Sequence, residues 1–141
     1  MIIEKLKKED IASYKELIDN VFDGSNSIEE YNKYDENNDI YEIIVAKKDN
    51  RVVGSITMYK INLFTYSFQP ALEIFNVAVH TESRGEGISK KIFDYIFDYA
   101  KKEGFKQIFL TCLESAHGAH KLYESVGFVR AASVKYVKDI K

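Results

Sequence analysis

The chain has 141 residues, of which 45% are hydrophobic and 30% are charged, a composition typical of a soluble globular protein rather than a disordered or fibrous one. This length predicts a single domain over residues 1–141 and excludes a two-domain enzyme. The 20 basic and 22 acidic residues leave a net charge of -2, which disfavours a general nucleic-acid-binding surface, because such surfaces need a basic excess.

The first half of the chain predicts an edge strand, two helices and a hairpin, in that order. Apolar residues recur at helical spacing until Asp23 and Gly24 end the pattern. Gly54, inside the second hairpin strand, marks a bulge or close packing. The predicted ranges are 2–6 for the edge strand, 11–22 for the first helix, 27–38 for a shorter helix that runs into a loop rich in Asn and Asp, 41–46 and 52–59 for the hairpin strands, and 65–70 for a loop that holds the single proline.

The second half predicts alternating strands and helices. A well-patterned amphipathic helix follows a glycine turn, and Gly104 is placed to cap its C-terminus. Hairpin strands followed by a β-α-β-α-β order predict an α+β or α/β layered fold. The predicted ranges are strand 71–80, helix 88–103, buried strand 107–113, helix 116–125, and one or two closing strands within 128–140.

The chain carries no sign of secretion or of a membrane partner. The single cysteine, Cys112, cannot form an intramolecular disulfide, which fits a reducing compartment. The first residues lack the apolar core of a signal peptide, and no stretch approaches the ~18 apolar residues of a transmembrane helix. The sequence therefore predicts a cytoplasmic protein, with Cys112 as a buried structural thiol that has no paired base near it in sequence.

The segment Arg84-Gly85-Glu86-Gly87, between the predicted strand and helix, has the composition of an anion site. A helix N-terminus offers unpaired backbone N–H groups, and glycines let a phosphate approach them. An ordinary strand-to-helix turn is the alternative. Lys90 stands where a dinucleotide-binding fingerprint has its third glycine, and no second glycine precedes a Lys-Ser/Thr pair, so neither that fingerprint nor a P-loop fits.

Two motifs resemble the GNAT superfamily of N-acetyltransferases. The run Arg84 to Ser89, after the strand residues 77–79, resembles the Arg/Gln-x-x-Gly-x-Gly/Ala loop that binds the acetyl-CoA pyrophosphate. The run Leu122-Tyr123-Glu124-x-x-Gly127-Phe128 resembles that family's late helix. Ser89 departs from the final Gly/Ala of the loop, and Ala116 stands where many members have an asparagine near the pantetheine arm.

The resemblance implies the GNAT fold, with a mixed, mostly antiparallel twisted sheet of six or seven strands and about four helices. It also implies acetyl-CoA as co-substrate and allows a homodimer, since dimerisation is common in the family. No metal is expected, because the histidines lack ligand spacing with a second cysteine. The residues expected to bind acetyl-CoA are Val77, Ala78, Val79, Arg84, Gly85, Glu86, Gly87, Ile88 and Ser89.

Acetyl transfer needs an amine (pKa near ~10) to lose a proton, a carbonyl oxygen to be stabilised, and a thiolate (pKa near ~8.5) to gain a proton. The resemblance places Glu73 where some members have a catalytic glutamate, and an ion pair or a solvated face is the alternative. Tyr123 matches a tyrosine near the CoA sulfur, and a core aromatic is the alternative. Strand alternation puts Glu73, Phe75, Val77 and Val79 on one face unless a bulge intervenes, and backbone N–H groups of such a bulge would stabilise the oxyanion.

The function predicted is therefore acetyl-CoA-dependent acetylation of a primary amine of a small molecule or peptide, by direct transfer in a ternary complex. A non-catalytic acyl-CoA-binding module of the same fold is the alternative, and a dinucleotide-binding regulator is disfavoured by the missing glycine. Residues 1–79 carry a net charge of -5 and residues 80–141 a net charge of +3. The acidic residues of the polar segment 27–39 would attract a cationic acceptor.

Overall fold

The computed structural model describes residues 1–24, 26–63 and 69–141. These residues form two compact units, Met1–Thr111 and Cys112–Lys141, and each unit is described by itself. The single domain over the whole chain stays a prediction.

The described residues of the first unit form a sheet and three α-helices. Two 3-10 turns, Lys8–Asp10 and Thr81–Ser83, precede α1 and the glycine loop. The elements are β1 (Ile2–Lys5), α1 (Ile11–Phe22), α2 (Ile28–Tyr31), β2 (Tyr41–Lys48), β3 (Arg51–Leu63), β4 (Gln69–Val79), α3 (Ile88–Glu103) and β5 (Gln107–Leu110).

The sheet has the strand order β1-β2-β3-β4-β5, with β4 and β5 parallel and the other neighbours antiparallel. The expected mixed, mostly antiparallel sheet is confirmed, but the described residues form five strands rather than six or seven. Asp49 and Asn50 join β2 to β3 with φ of 52° and 62°, as a two-residue hairpin turn requires.

Two boundary predictions differ from the structure. Residues 65–68 of the predicted loop lie outside the described residues, while Pro70 lies in β4 and not in a loop. The predicted buried strand 107–113 is shorter and only half-buried, since β5 ends at Leu110 and alternates exposed and partly buried residues. Among the described strands β5 pairs only with β4, so one of its edges remains open.

Both faces of the sheet are covered. On one face the buried side of α3, from Ile88 to Ala100, packs against β2, β3 and β4. Gly54 permits this contact, because a Cβ there would lie 2.6 Å from Ile88 Cγ2. On the other face α1 packs against the sheet in a cluster that includes Leu6, Ile11, Tyr14, Leu17, Ile43, Val45 and Ala78.

The second unit contains α4 (His117–Ser125). The helix ends in a turn at Gly127, whose φ of 104° favours glycine. The prediction of closing strands within 128–140 is wrong, since residues 126–141 form no strand and Tyr136 is 93% exposed. The alternating sequence suits a strand, but a ladder needs a partner, and residues 112–141 contain no second strand to provide it.

Candidate active site

A β-bulge distorts β4 at Asn76 and Val77. Phe75 pairs with Thr57 on β3 and Ala78 pairs with Ser55, so two residues of β4 face one residue of β3. Asn76 has a φ of 53°, a left-handed conformation that suits a bulge.

The bulge changes which side chains share a face. Because Ser55 and Thr57 lie on the same face of β3, their partners Ala78 and Phe75 do so as well. The expectation that Val77 and Val79 share a face with Glu73 is therefore wrong, and the condition attached to it, a bulge, is the reason.

Beyond the bulge β4 has an open edge. The pairing of β4 with β5 runs from Ala71 to Ile74 only, whereas β4 continues to Val79. The backbone groups of residues 77–79 that point to this edge therefore have no partner strand among the described elements. Unpaired amides of this kind can pair with an extended ligand or stabilise a negative oxygen.

The loop between β4 and α3 forms an open cradle. Gly85 and Gly87 have φ of 84° and 72°, and a Cβ added to either would meet no atom within 4 Å. Gly87 caps α3 without a side-chain hydrogen bond, so the first N–H groups of the helix lack an intrahelical partner and face the open loop. Arg84 is exposed and makes no ion pair with the described residues. The loop thus has the geometry of an anion site.

The start of this loop is held by polar contacts. Arg51, at the start of β3, donates to Glu16 at 2.6 Å and to Glu82 at 3.3 Å. Asn20 on α1 donates to the Thr81 hydroxyl at 3.2 Å and accepts from the Thr81 N–H at 3.1 Å. The loop is therefore anchored to α1 and β3 before it reaches Arg84.

Glu73 is a half-buried carboxylate in the middle of β4. It pairs across the sheet with Tyr59 on β3 and with Phe109 on β5. In residues 1–24, 26–63 and 69–141 its carboxylate has no hydrogen bond or ion pair, so these residues give no support to the ion-pair alternative. Glu73 lies three residues before the bulge.

A cavity of about 390 Å³ opens on the same face of the sheet as Glu73. Asn76 of the bulge and Tyr59, the cross-strand neighbour of Glu73, both line it. Its walls come from α1, α2, β2, β3 and β4. The lining residues are Ile11, Tyr14, Asn26, Glu30, Tyr31, Lys33, Tyr34, Tyr41, Ile43, Thr57, Tyr59 and Asn76.

Three of the five tyrosines that line this cavity have raised pKa values. Burial raises the pKa of Tyr14 to about 12, and the neighbouring Thr57 hydroxyl offsets part of that rise. Burial also raises the pKa values of Tyr34 and Tyr41. Because these three phenols keep their protons, they offer hydroxyl groups and ring faces to the cavity and not phenolate anions.

Tyr123 lies in α4 of the second unit. Its ring meets that of Phe128 edge-on at a centroid distance of 6.1 Å. Burial, and then the electrostatic effect of the neighbouring Cys112, raise the pKa of Tyr123 above its usual value. A tyrosine with a raised pKa keeps its proton at neutral pH and can donate it.

Comparison with known proteins identifies the family. The acetyltransferase (GNAT) family model matches residues 8–128. The chain belongs to the GNAT family. A curated relative, N-acetyltransferase 8B of Homo sapiens, is 29% identical over 84 residues, which are 60% of this chain and 37% of the relative. This GNAT chain thus spans well under half the length of the curated relatives that it matches.

Solved structures show the same fold. An aminoglycoside acetyltransferase from an uncultured soil metagenomic sample superposes with a TM-score of 0.85 at 24% identity, covering 99% of this chain and 96% of that one. Ribosomal-protein-alanine N-acetyltransferase from Brucella melitensis superposes with a TM-score of 0.84 at 21% identity, covering 99% and 100%. At these identities the likeness establishes the GNAT fold alone.

The part of the GNAT chain that the structure describes has neither a membrane-spanning helix nor a metal site. No helix in this part combines the length and apolar character needed to cross a bilayer. No group of three or more His, Cys, Asp or Glu side chains is arranged to hold a metal ion.

Lys48 of this GNAT chain contacts the glycine loop, although neither sequence motif includes it. Its ammonium, at the end of β2, lies 3.1 Å from a carboxylate oxygen of Glu86, between the two loop glycines. Both side chains are exposed. No sequence signal could have found this contact, because the hairpin register places Lys48 beside a loop that follows almost 40 residues later.

The interpretation of Cys112 as a buried thiol without a paired base is wrong for this GNAT chain. The thiol is only half-buried, and its sulfur lies 3.7 Å from both ring nitrogens of His120. His120 Nε2 also lies 2.9 Å from the Leu113 carbonyl, which accepts if that nitrogen carries the proton. Cys112 precedes α4, and the turn between them, closed by the hydrogen bond from the Ala116 N–H to the Leu113 carbonyl, lets His120 of α4 lie beside the thiol.

Proposed function

We propose that this chain is an acetyl-CoA-dependent N-acetyltransferase that acetylates a primary amine by direct transfer in a ternary complex. The observation that carries the proposal is the open edge of β4 beyond Ile74, which leads directly into the glycine cradle before α3. Membership of the acetyltransferase (GNAT) family supports the reaction type.

The cradle fits the pyrophosphate of acetyl-CoA. The empty space above Gly85 and Gly87 lets phosphate oxygens approach the N–H groups of Ile88 and Ser89, and the free Arg84 side chain would add a positive charge. Backbone groups of Val77, Ala78 and Val79 at the open strand edge would pair with the pantetheine amides. Acetyl-CoA supplies the acetyl group as a thioester, so that a new N–C bond forms as the C–S bond breaks to give an amide and free CoA.

Protein groups would move the two protons. Glu73 takes a proton from the amine, directly or through water, since its carboxylate is not engaged by another described residue. Tyr123, which matches the tyrosine of the family motif, would give a proton to the departing sulfur. A backbone N–H at residues 77–79 donates to the oxygen that becomes negative. No covalent link to the protein is needed.

The cavity beside the bulge is the proposed acceptor site. It lies on the face of the sheet that carries Glu73. Tyr59 lines the cavity and is also the cross-strand neighbour of Glu73. The fold relatives are described as an aminoglycoside acetyltransferase and a ribosomal-protein-alanine N-acetyltransferase. These descriptions support a small-molecule amine or a peptide amine as the acceptor class.

A thiol-release assay tests the proposal. Free CoA is measured with acetyl-CoA and a panel of amines, amino acids, polyamines and peptides, and the acetylated product is identified by mass. An enzyme releases CoA only when an amine is present. A non-catalytic acyl-CoA-binding module would be stabilised by acetyl-CoA against heat in the same way but would release no CoA with any amine, and that result would overturn the proposal.

A further inference from the structure

The acceptor cavity is bounded by a ladder of aromatic rings that crosses the sheet. Tyr34 and Tyr41 lie 6.3 Å apart between ring centroids, Tyr41 and Tyr59 lie 5.4 Å apart, and Tyr59 meets Phe75 edge-on at 5.3 Å. Phe75 directly precedes the bulge residue Asn76. The ladder therefore runs from the loop after α2 to the position where the reacting amine would lie.

The chemistry of this cavity favours a positively charged occupant. Neutral tyrosine rings attract ammonium groups to their faces, and the protein's own Lys15 ammonium lies 5.9 Å over the ring of Tyr31. Residues 26–42 carry six carboxylates against one lysine. Among these charged residues Glu30 and Lys33 line the cavity itself, and the other carboxylates lie around it in sequence.

One carboxylate remains available to a ligand. Glu30 is paired with Lys33 at 3.3 Å, but the Lys33 side chain is 74% exposed and can be displaced by a ligand ammonium. The Thr57 hydroxyl is buried in the cavity wall beside the Tyr14 phenol, whose pKa it lowers, so it belongs to the wall and not to the groups that would bind a ligand.

The reacting nitrogen cannot be the group that these features recognise. An amine must be deprotonated to attack a thioester, so its charge is absent when the new bond forms. Attraction to rings and carboxylates speeds the reaction only if it persists in the transition state. A second ammonium on the acceptor satisfies both conditions.

We propose that the acceptor is a compact aliphatic amine with a second positive charge, whose reacting nitrogen lies near Glu73 and Asn76 while the second ammonium is held among Tyr31, Tyr41, Tyr59 and Glu30. This inference rests on the proposed function and specifies its acceptor. A cavity of about 390 Å³ lies at the small end of ligand pockets, which favours a short chain over a large multi-ring amine.

The test compares two molecules of equal length, 1,5-diaminopentane and 1-aminohexane, in which one terminal ammonium replaces a methyl group. Each is titrated into the CoA-loaded protein by calorimetry, and kcat/KM is then measured with acetyl-CoA. The diamine is expected to bind about tenfold more tightly, because contacts of its second ammonium with the ring faces and with a carboxylate together account for at least a tenfold gain in affinity. Equal or tighter binding of 1-aminohexane would overturn the inference.

Matched variants separate the site from general charge effects. Glu30→Gln and Tyr59→Leu should each lower kcat/KM for the diamine about threefold to tenfold more than they lower kcat/KM for 1-aminohexane. Glu29→Gln removes a neighbouring carboxylate of α2 outside the cavity, and Tyr95→Leu removes a tyrosine of α3 that is 36% exposed, as Tyr59 is; neither should change diamine affinity. Equal losses in the variants and controls would overturn the inference.

The two proposals fail in different ways. If monoamines are acetylated as efficiently as the diamine, the second-charge inference is wrong while the acetyltransferase proposal stands. If the diamine binds in the expected way but no amine is acetylated, the cavity specificity is supported and the enzymatic proposal is wrong.

Discussion

The Lys48 ammonium lies 3.1 Å from the Glu86 carboxylate and so ties the β2–β3 hairpin to the glycine loop before α3. Glu86 places a negative charge inside a loop that otherwise has the features of an anion site. Lys48 neutralises that charge, and on binding of a polyphosphate ligand it is positioned to turn to the phosphates. Lys48 is therefore expected to assist CoA binding. The carboxylate of Glu86 is expected to oppose it, although the Glu86 backbone belongs to the loop proposed to bind the pyrophosphate.

Substitutions at this pair should change CoA affinity in opposite directions. Lys48→Ala should weaken CoA binding about threefold to fivefold and Glu86→Gln should tighten it by a similar factor, because exposed charge pairs contribute up to about 1 kcal/mol. Calorimetric titration at low salt measures both. Lys7→Ala is the control, since the Lys7 and Lys48 side chains are both 52% exposed and both ion-paired. If Lys48→Ala and Glu86→Gln both bind CoA with the affinity of Lys7→Ala, the proposed effect of this ion pair on CoA binding is refuted.

The contact between Gly54 and α3 should be sensitive to a single methyl group. A Cβ at position 54 would lie 2.6 Å from Ile88 Cγ2 and 3.3 Å from Ile92 Cδ1, so Gly54→Ala should lower the free energy of unfolding by about 1–3 kcal/mol through overpacking. Gly118→Ala in α4 is the control, because its Cβ would meet nothing within 4 Å. Urea titration of both variants is the measurement, and an undiminished stability of Gly54→Ala would contradict the packing described.

Alkaline pH should destabilise the protein through its buried tyrosines. The pKa of Tyr14 is raised from 10.0 to about 12 in the folded chain, so its neutral form stabilises the fold fully below pH 10 and that stabilisation is lost as pH rises from 10 to 12. The loss amounts to about 2–3 kcal/mol for this one group. Tyr14→Phe should therefore flatten the fall in stability over this window, whereas the surface substitution Tyr136→Phe should leave it unchanged. A fall as steep in Tyr14→Phe as in the wild type would contradict the assignment.

The elements that sequence predicted well are those set by local pattern. The helical spacing of α3 and its cap at Gly104 depend on neighbouring residues, and Gly104 has the expected left-handed φ of 80°. The glycine loop was also predictable, because a positive φ at Gly85 and Gly87 is a local requirement.

The parts that sequence could not provide depend on partners distant in the chain. The bulge at Asn76 reverses the alternation of β4 only through its pairing with β3, and the apolar alternation around Val134 and Tyr136 forms no strand within its own unit. The tyrosine cavity is similarly assembled from α1, α2, β2 and β3. The tyrosines of these elements are unremarkable when each is considered in its own segment.

Tyr123 should affect turnover most at high pH. Its raised pKa keeps the hydroxyl protonated in moderately alkaline solution, where solvent protons are scarce and the leaving thiolate depends most on a nearby acid. Tyr123→Phe should therefore lower kcat, by a factor that grows from pH 7 to pH 9.5, while the CoA dissociation constant is unchanged. A kcat profile that matches wild type across this range would exclude the role as acid.

Glu73 offers the most direct test of the proposed acetyl transfer. We would measure kcat for CoA release at saturating acetyl-CoA and amine in wild type, in Glu73→Gln and in the surface control Glu103→Gln. The proposal predicts that Glu73→Gln lowers kcat about 100-fold, with the acetyl-CoA dissociation constant unchanged and Glu103→Gln equal to wild type. A kcat for Glu73→Gln equal to wild type across the pH range would contradict it.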